Sequence, residues 1–261
     1  MEDGGSGIGA LGFFAKLRGA PGGRSLVLVS NRHVLLAHGA QKGDLVYQPE
    51  FSLKNGQYHF RSDRLNPIAE ILDEGFEGNY TYRYPDEPAR EYFIDCATAR
   101  LLAEHTTRTR SIPPPIGRQL KAQFREIARV HEYDVFAGRE LRVYKLGRAE
   151  DGVIGRVVDV MAPAITRDKQ RRDNNLVIRT ATRPGSSEPG FASEGDSGAL
   201  IVDELNRAVG LLWGRSTQNK TEAFASHIHP VLHRLNVTPL PYNLQVHHGE
   251  GSSQMVPQAN E

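Results

Sequence analysis

The stretch Gly195-Asp196-Ser197-Gly198-Ala199-Leu200-Ile201-Val202 places a turn of small residues directly before an apolar run that is typical of a buried strand. Glycine on both sides permits backbone conformations that other residues avoid, so the turn can present the hydroxyl of Ser197 at its tip. The amide N–H groups of Gly195 and Ser197 can then point into one small pocket and stabilise a tetrahedral oxyanion. An ordinary surface turn fits the same pentapeptide equally well, and the residues upstream favour the nucleophile.

The composition is that of a globular chain without a strong charge bias. The 261 residues carry a formal net charge of +1, which lacks the basic excess that nucleic-acid and membrane-surface binding require. The one cysteine, Cys96, cannot form an internal disulfide, and this favours a reducing compartment. The sequence contains neither a signal-peptide pattern nor a membrane span, so we expect a cytoplasmic protein.

Two upstream residues draw attention because each is polar beside an apolar strand. His33 follows the β-branched run at residues 25–30 and begins a short turn or helix. Asp95 lies inside the apolar run at residues 92–101, where a buried carboxylate is costly unless it is paired or hydrogen-bonded. We therefore expect His33 to be the partner of Asp95.

Two runs of short strands, separated by a proline-rich connector, predict the domain organisation. The predicted units are an amino-terminal barrel over 8–110 carrying His33 and Asp95, a linker over 111–134, a carboxyl-terminal barrel over 135–240 carrying Ser197, and a disordered tail over 241–261. The sequence Ser-Ile-Pro-Pro-Pro-Ile-Gly at 111–117 excludes helix and central strand from the start of the linker. Apolar residues at helical spacing predict a helix over 118–130.

The fold class follows from the strand pattern. We expect an all-β protein of two antiparallel six-stranded β-barrels packed face to face, with the active site in the cleft between them and a short carboxyl-terminal helix over 230–235. The polar residues 74–90, rich in glycine, proline and tyrosine, are expected to form a long surface loop.

Several ordered motifs resemble the chymotrypsin/trypsin-like serine peptidases, in particular their disulfide-free bacterial and plant narrow-leaf-type members. The motifs are Ser-Asn-Arg-His-Val-Leu at 30–35, Asp-Cys-Ala-Thr-Ala-Arg-Leu at 95–101 and Gly-Asp-Ser-Gly at 195–198, in that order. Leu-Leu-Trp-Gly at 211–214 stands where the family has its substrate-binding strand, and residues 143–157 resemble the hairpin of its second barrel. The likeness spans residues 8–237.

The resemblance implies a trypsin-like serine endopeptidase acting on a protein or peptide substrate. Ser197 would attack the scissile carbonyl, His33 would act as general base and then general acid, and Asp95 would orient the imidazole. The amides of Gly195 and Ser197 would form the oxyanion hole. The residues expected to contact the substrate are Phe191, Trp213 and Gly214. This chemistry needs no metal ion or organic cofactor and no nucleic-acid or membrane partner, and it is compatible with a regulatory or recruiting protein.

Three departures from the family pattern modify these expectations. Leu212 stands where many members have a serine that supports the catalytic aspartate, so Asp95 must be supported from elsewhere. Phe191, six residues before the nucleophile, carries no charge, which predicts an apolar or small side chain before the scissile bond rather than Lys or Arg. The amino terminus lacks an Ile-Val-Gly-Gly sequence, so activation by insertion of a new amino terminus is not expected.

Other interpretations remain beside the peptidase. A pseudoprotease would use the same fold as a binding or regulatory module, and an esterase would use the same triad; an α/β-hydrolase requires the order serine, acid, histidine, which this chain does not have. His227, His229 and His233 lack an accompanying acidic or cysteine ligand, which argues against a metal site. Cys96, within an apolar strand, is expected to be an inert core residue.

Overall fold

The computed structural model describes residues 9–20, 26–54, 57–102, 126–146, 154–165, 170–181 and 190–240. Its strands are β1 (Phe13–Leu17), β2 (Leu26–Ser30), β3 (Leu45–Lys54), β4 (Gln57–Ile71), β5 (Phe76–Tyr82), β6 (Arg90–Leu101), β7 (Glu126–Ile127), β8 (Arg142–Leu146), β9 (Ile154–Ile165), β10 (Arg171–Thr180), β11 (Leu200–Asp203), β12 (Arg207–Arg215), β13 (Glu222–His227) and β14 (Val237–Pro239). The helices are α1 (Arg32–Leu35), α2 (Glu132–Phe136) and α3 (Ile228–Leu235), with a 3₁₀ turn at Ala37–Gly39. The predicted proline-rich segment 111–117 and the predicted tail 241–261 lie outside the described residues.

The first sheet has the strand order β14-β1-β2-β6-β4-β3, and β5 pairs with β6. Every pairing in it is antiparallel. The edge strand β14 lies near the carboxyl-terminal end of the described chain and pairs with β1 through Ala15↔Pro239 and Leu17↔Val237. The two ends of the described chain are therefore held in one sheet.

The second sheet closes on itself. Antiparallel pairings link β8 to β9, β9 to β10, β10 to β13, β13 to β12, β12 to β11, and β11 back to β8. The strand β7 adds to β12 in parallel. The predicted all-β class with two sheets is confirmed. The expected number of six strands in each was too low, because within the described residues each sheet has seven: β5 adds to β6 in the first sheet, and β7 adds to β12 in the second through the one parallel pairing described.

Apolar side chains from both sheets share one core, together with one face of α3. This core contains Phe13, Val29 and Cys96 of the first sheet, Leu200, Val202 and Leu211 of the second, and Ile228, Val231, Leu232 and Leu235 of α3. The apolar positions of α3 recur at intervals of three and four residues, which is why a helix forms there. The helix ends at Asn236, whose φ of 51° is left-handed.

Two predicted segments take a different form. Residues 74–90 are not one long loop, because β5 occupies Phe76–Tyr82. Phe76 and Tyr80 lie on the same face of this strand and pack on the shared core. The polar residues between them and Gly78 hide this period-two pattern in the sequence. In the predicted helix over 118–130, the described part begins with β7, which pairs with Arg207 and Ala208. Pairing with a neighbouring strand overrides the helical spacing there. Among the described residues, no helix combines the length and the apolar character needed to cross a membrane.

Candidate active site

His33 and Asp95 are in contact, and the local chain path explains why. Strand β2 ends at Ser30 and α1 begins at Arg32, so the chain turns at Asn31 and brings α1 against β6. His33 Nδ1 donates a hydrogen bond to Asp95 Oδ2. The other carboxylate oxygen accepts the amide N–H of Arg32 at 2.7 Å and that of His33 at 3.3 Å. Three N–H groups thus support a carboxylate that is completely buried.

The environment of His33 suits a general base. Its side chain is 39% exposed, so solvent or a substrate can reach the ring. Burial disfavours the protonated imidazole, but the hydrogen bond and negative charge of Asp95, with the charge of Glu77, raise the pKa of His33 above its usual value; Arg172 opposes this. Because Asp95 engages Nδ1, the nitrogen that remains for a reacting group is Nε2.

Ser197 lies in a turn that glycine makes possible. Gly195 and Gly198 have φ values of 85° and 92°, in the left-handed region where other residues are strained. The Gly198 amide donates to Leu212 O at 2.8 Å, which fixes the turn to β12. Among the described residues, the amides of Gly195 and Ser197 meet no hydrogen-bond acceptor. Two unpaired N–H groups beside a hydroxyl are what an oxyanion would require.

Ser197 and His33 lie in the same region of the molecule, but no described hydrogen bond joins them. A Cβ built on Gly9 would lie 2.4 Å from Val34 Cγ1 and 2.8 Å from Ser197 O. The residue after His33 and the carbonyl of Ser197 therefore face the same point. The structure brings His33 and Asp95 into contact and places Ser197 on the neighbouring turn.

The segment 9–12 fills the space between the two sheets behind this turn. The Ala10 amide donates to Ser197 O at 2.7 Å, and Ala10 O accepts a hydrogen bond from Ser30 Oγ at 2.7 Å. A Cβ on Gly12 would meet Gly198 O at 2.7 Å. Because no side chain fits at such distances, the close approach requires glycine. The segment links the Ser197 turn to the end of β2, where the chain continues to His33.

A buried ion pair supports the turn from the other side. Lys145 Nζ of β8 lies 2.5 Å from Asp196 Oδ2, and each side chain is only 3% exposed. The same carboxylate oxygen accepts the amide of Ser193 at 2.8 Å. Asp196, directly before Ser197, is thereby bound both to β8 and to the start of its own turn.

A second charged network borders His33 and Asp95. Glu77 lies opposite Asp95 in the β5–β6 register, and its Oε1 accepts a hydrogen bond from Arg172 Nη2 at 2.9 Å. Arg32 Nη1 lies 3.9 Å from Glu77 Oε2. Burial and the nearby charge of Asp95 raise the pKa of Glu77, while the arginines and His33 oppose this. Glu77 and Arg172 join the two sheets beside the histidine.

The three predicted substrate contacts have different surroundings. The Trp213 indole is fixed by a hydrogen bond from Nε1 to Asn175 Oδ1 at 3.1 Å and is stacked on Phe224. No described atom lies within 4 Å of a Cβ built on Gly214, so space is open beside it. Phe191 is fully buried in the core of the second sheet against Gly155. Its ring could meet a substrate only at the base of a pocket.

The other histidines, Cys96 and Leu212 have surroundings that are typical of structural residues. His227 is buried and its Nε2 donates to Val160 O at 2.8 Å, while His233 Nδ1 shares a hydrogen bond with Tyr80 Oη at 2.7 Å. Within the ranges that the structure describes, no three His, Cys, Asp or Glu side chains gather as a metal site would require. Burial raises the pKa of the Cys96 thiol well above its usual value, which keeps it protonated and unreactive. Leu212 is buried in the second-sheet core.

Sequence reasoning missed Lys145, Glu77, Arg172 and the segment 9–12. Lys145 carried a signal, because a lysine between Tyr144 and Leu146 in an apolar strand needs a buried carboxylate. Glu77 and Arg172 carried none, since their pairing joins residues 95 positions apart. The glycine spacing of residues 9–12 is equally typical of a loose terminus.

The sequence matches no protein-family model and no curated protein. Among solved structures, the chain is similar to the chymotrypsin of Cellulomonas bogoriensis, at 12% identity and a TM-score of 0.46, covering 88% of this chain and 90% of the other. A protease of Nocardiopsis is similar at 12% identity and a TM-score of 0.45, with coverage of 88% and 90%. The alpha-lytic protease homolog N4 is similar at 16% identity and a TM-score of 0.41, with coverage of 87% and 90%. All three are chymotrypsin-like serine proteases, the class that the sequence motifs resemble.

Proposed function

We propose that this protein is a serine endopeptidase that cleaves a protein or peptide substrate through an acyl-enzyme on Ser197. The observation that carries the proposal is the half-exposed His33 whose Nδ1 is held by the buried, triply hydrogen-bonded Asp95, beside the Gly-Asp-Ser-Gly turn. Asp95 holds one nitrogen of the imidazole, while the ring stays within reach of solvent or a substrate. General-base chemistry gives both groups a purpose.

In the proposed reaction, His33 Nε2 takes the Ser197 proton as Oγ attacks the scissile carbonyl carbon. The negative charge that develops on the carbonyl oxygen is stabilised by the amides of Gly195 and Ser197. His33 then gives the proton to the leaving amine, and water releases the acyl group by the same steps. The missing Ser197–His33 hydrogen bond is one that tightens on substrate binding.

The substrate would lie extended along residues 213–215 of β12, where the pairing with β11 has ended and no described strand replaces it. Phe191, six residues before Ser197, is apolar and offers no charge to a substrate, which favours an apolar or small side chain before the scissile bond. The buried free thiol of Cys96 suits a cytoplasmic location. The second candidate is a pseudoprotease that binds a partner without cutting it, which the unmade Ser197–His33 hydrogen bond favours.

A fluorophosphonate probe, which reacts with activated serines, tests the proposal. We expect covalent labelling of the wild type at Ser197, complete loss in Ser197→Ala, and undiminished labelling in Ser193→Ala, the matched variant of an exposed serine in the same loop. Because the base must be neutral, labelling should rise with pH through a midpoint above 6.5, the usual value for histidine.

Asp95→Asn should slow labelling on the order of 10⁴-fold. Its pH midpoint should also fall, because Asp95 supplies the main contributions that raise the pKa of His33. A folded wild type that never labels and cleaves no peptide would favour the pseudoprotease instead.

A further inference from the structure

Arg172 occupies a notch between aromatic rings from the two sheets. Its Cζ lies 4.3 Å from the ring centroid of Phe93 on β6 and 4.6 Å from that of Trp213 on β12. The two rings meet edge to face, with centroids 4.9 Å apart. A guanidinium over two aromatic faces is held by cation–π attraction and is partly removed from water.

The hydrogen-bonding capacity of Arg172 is mostly unused. A guanidinium has five N–H donors, and within the described part of the chain one bond is made, from Nη2 to Glu77 Oε1. Its Nε is buried and meets no acceptor there. The Arg172 side chain is 18% exposed, so part of the guanidinium can be reached from solvent. A ligand that supplies acceptor oxygens could accept hydrogen bonds from the donors on that part.

Two guanidinium groups face one carboxylate at the notch. Arg32 and Arg172 both lie beside Glu77. The only other described bond of the Arg32 guanidinium is to the neutral carbonyl of Glu74. The Asp95 carboxylate accepts its described hydrogen bonds from His33 and from the Arg32 amide, so neither guanidinium has a carboxylate to itself.

The notch borders the open edge of β12. Strand β11 pairs with β12 up to Leu200↔Leu211, and the Gly198 amide bonds to Leu212 O, so the edge at 213–215 has no described partner on that side. The pairing of β12 with β13 shifts register between Leu212 and Gly214, a bulge that re-aims Trp213. An extended peptide added antiparallel to this edge, with its scissile carbonyl at Ser197, runs its amino-terminal residues past Trp213.

We propose that Arg172, seated on Trp213 and Phe93, is a specificity-determining residue that binds an acidic side chain of the substrate on the amino-terminal side of the scissile bond, two to four residues before it. The proposal rests on the peptidase function proposed above. The substrate class is a peptide carrying Asp or Glu upstream of the cleaved bond, with Arg172 as a fork-shaped donor for the carboxylate.

The test uses a synthetic peptide library with randomised central positions, whose cleavage sites are determined by mass spectrometry. For the wild type we expect Asp and Glu enriched at one of the second to fourth positions before the cleaved bond. In a matched pair of peptides with Glu or Gln there, kcat/KM should favour Glu about tenfold or more. Arg172→Met should reduce the ratio to near one.

Two variants sharpen the result. Arg171→Met is the matched control, because Arg171 is 72% exposed, pairs with Asp173 and lies next to Arg172 on the same strand; it should keep the acidic preference. Glu77→Gln removes the competing carboxylate and should increase the Glu/Gln ratio. Using a ratio cancels any change in the basicity of His33 that these substitutions cause.

The outcomes separate this proposal from the peptidase function. Cleavage without acidic enrichment, or with the same enrichment in Arg172→Met or Arg172→Gln, overturns the assignment of Arg172 and leaves the peptidase intact. Absence of both library cleavage and fluorophosphonate labelling of Ser197 in folded protein overturns the peptidase function, and the acidic subsite with it.

Discussion

At the scale of single residues, the ion pair between Lys145 and Asp196 has consequences for the adjoining Ser197, the proposed nucleophile. Both side chains are buried, so neither charge can be solvated if its partner is removed. Asp196 is covalently linked to Ser197, and its carboxylate also receives the Ser193 amide. The pair therefore couples the stability of the fold to the shape of the turn whose amides are proposed to bind the oxyanion.

Lys145→Met should leave the Asp196 carboxylate buried and unpaired, and should reduce the free energy of unfolding by about 3–5 kcal/mol. Fluorophosphonate labelling per folded molecule should fall at least about tenfold, since the loss of one oxyanion donor alone costs more than that. Urea unfolding and labelling rates at full folding measure the two effects. The exposed Lys16→Met on β1 is the control and should change neither. Wild-type labelling in Lys145→Met would refute the coupling.

The double variant Lys145→Met with Asp196→Asn should recover much of the lost stability, because no buried charge is then left alone. A double variant no more stable than Lys145→Met would show that packing of the lysine stem, rather than charge pairing, dominates.

At the scale of elements, the segment 9–12 contacts the Ser197 turn as closely as it contacts the first sheet. Its Ala10 amide holds Ser197 O, its Ala10 carbonyl is held by Ser30, and Gly12 lies against Gly198. The backbone oxygens around Gly12 belong to paired strands or to the turn, so they cannot yield to a methyl group cheaply. Displacement of this segment is transmitted to the carbonyl of the proposed nucleophile.

Gly12→Ala should therefore slow fluorophosphonate labelling per folded molecule, in addition to destabilising the protein by about 1–3 kcal/mol. Gly19→Ala is the matched control: its φ of 75° makes the substitution cost about 1–2 kcal/mol, yet no atom lies within 4 Å of the added Cβ. If both variants lose stability and neither loses labelling rate, the segment only stabilises the fold and does not position Ser197.

The same elements show what a sequence can predict here. The contact of His33 with Asp95 was predictable, because a lone carboxylate in the apolar strand β6 demands a partner and few polar candidates exist. Strand β5 was not, since glycine and polar residues hide its alternation. Arg172 reaches Glu77 because the start of β10 lies against β5, where Asn79 Nδ2 donates a hydrogen bond to Asp173 Oδ2 at 3.0 Å. Local patterns predict strands and motifs, whereas contacts between sheets depend on packing that no local pattern encodes.

At the scale of the whole molecule, β5, β6 and the residues between them contact α3 and β13 through tyrosine and histidine rings. We call this contact region between the two sheets the joint. Tyr92 meets His227 with ring centroids 5.3 Å apart, and Tyr84 meets His229 at 5.5 Å. Arg129 lies over Tyr84 at 3.6 Å, so a fixed positive charge already faces this cluster. Protonated histidines would be buried beside a guanidinium in the joint between the two sheets.

This joint should make the folded protein sensitive to acid. Burial, opposed by the hydrogen bond to Val160 and reinforced by Arg129 and His229, lowers the pKa of His227 to about 4 from 6.5. Burial, with Arg129 and His131, also lowers the pKa of His229. Between pH 6.5 and 4 the unfolded chain binds more protons than the folded one, so stability falls as the pH falls. From pH 7 to 5 His227 alone should cost about 2 kcal/mol.

Urea unfolding at pH 7 and pH 5 measures this loss directly, and the comparison is made within each variant so that a general loss of stability cancels. His227→Gln can still donate to Val160 O but cannot be protonated, so its free energy of unfolding should change less between the two pH values than that of the wild type. The exposed His38→Asn, whose left-handed φ of 56° suits asparagine, should behave as the wild type does. If His227→Gln loses as much free energy of unfolding between pH 7 and pH 5 as the wild type, the acid sensitivity belongs to other groups and not to His227. A reduced difference would show that the folded state, in which His227 packs between the two sheets, is stabilised by keeping His227 neutral.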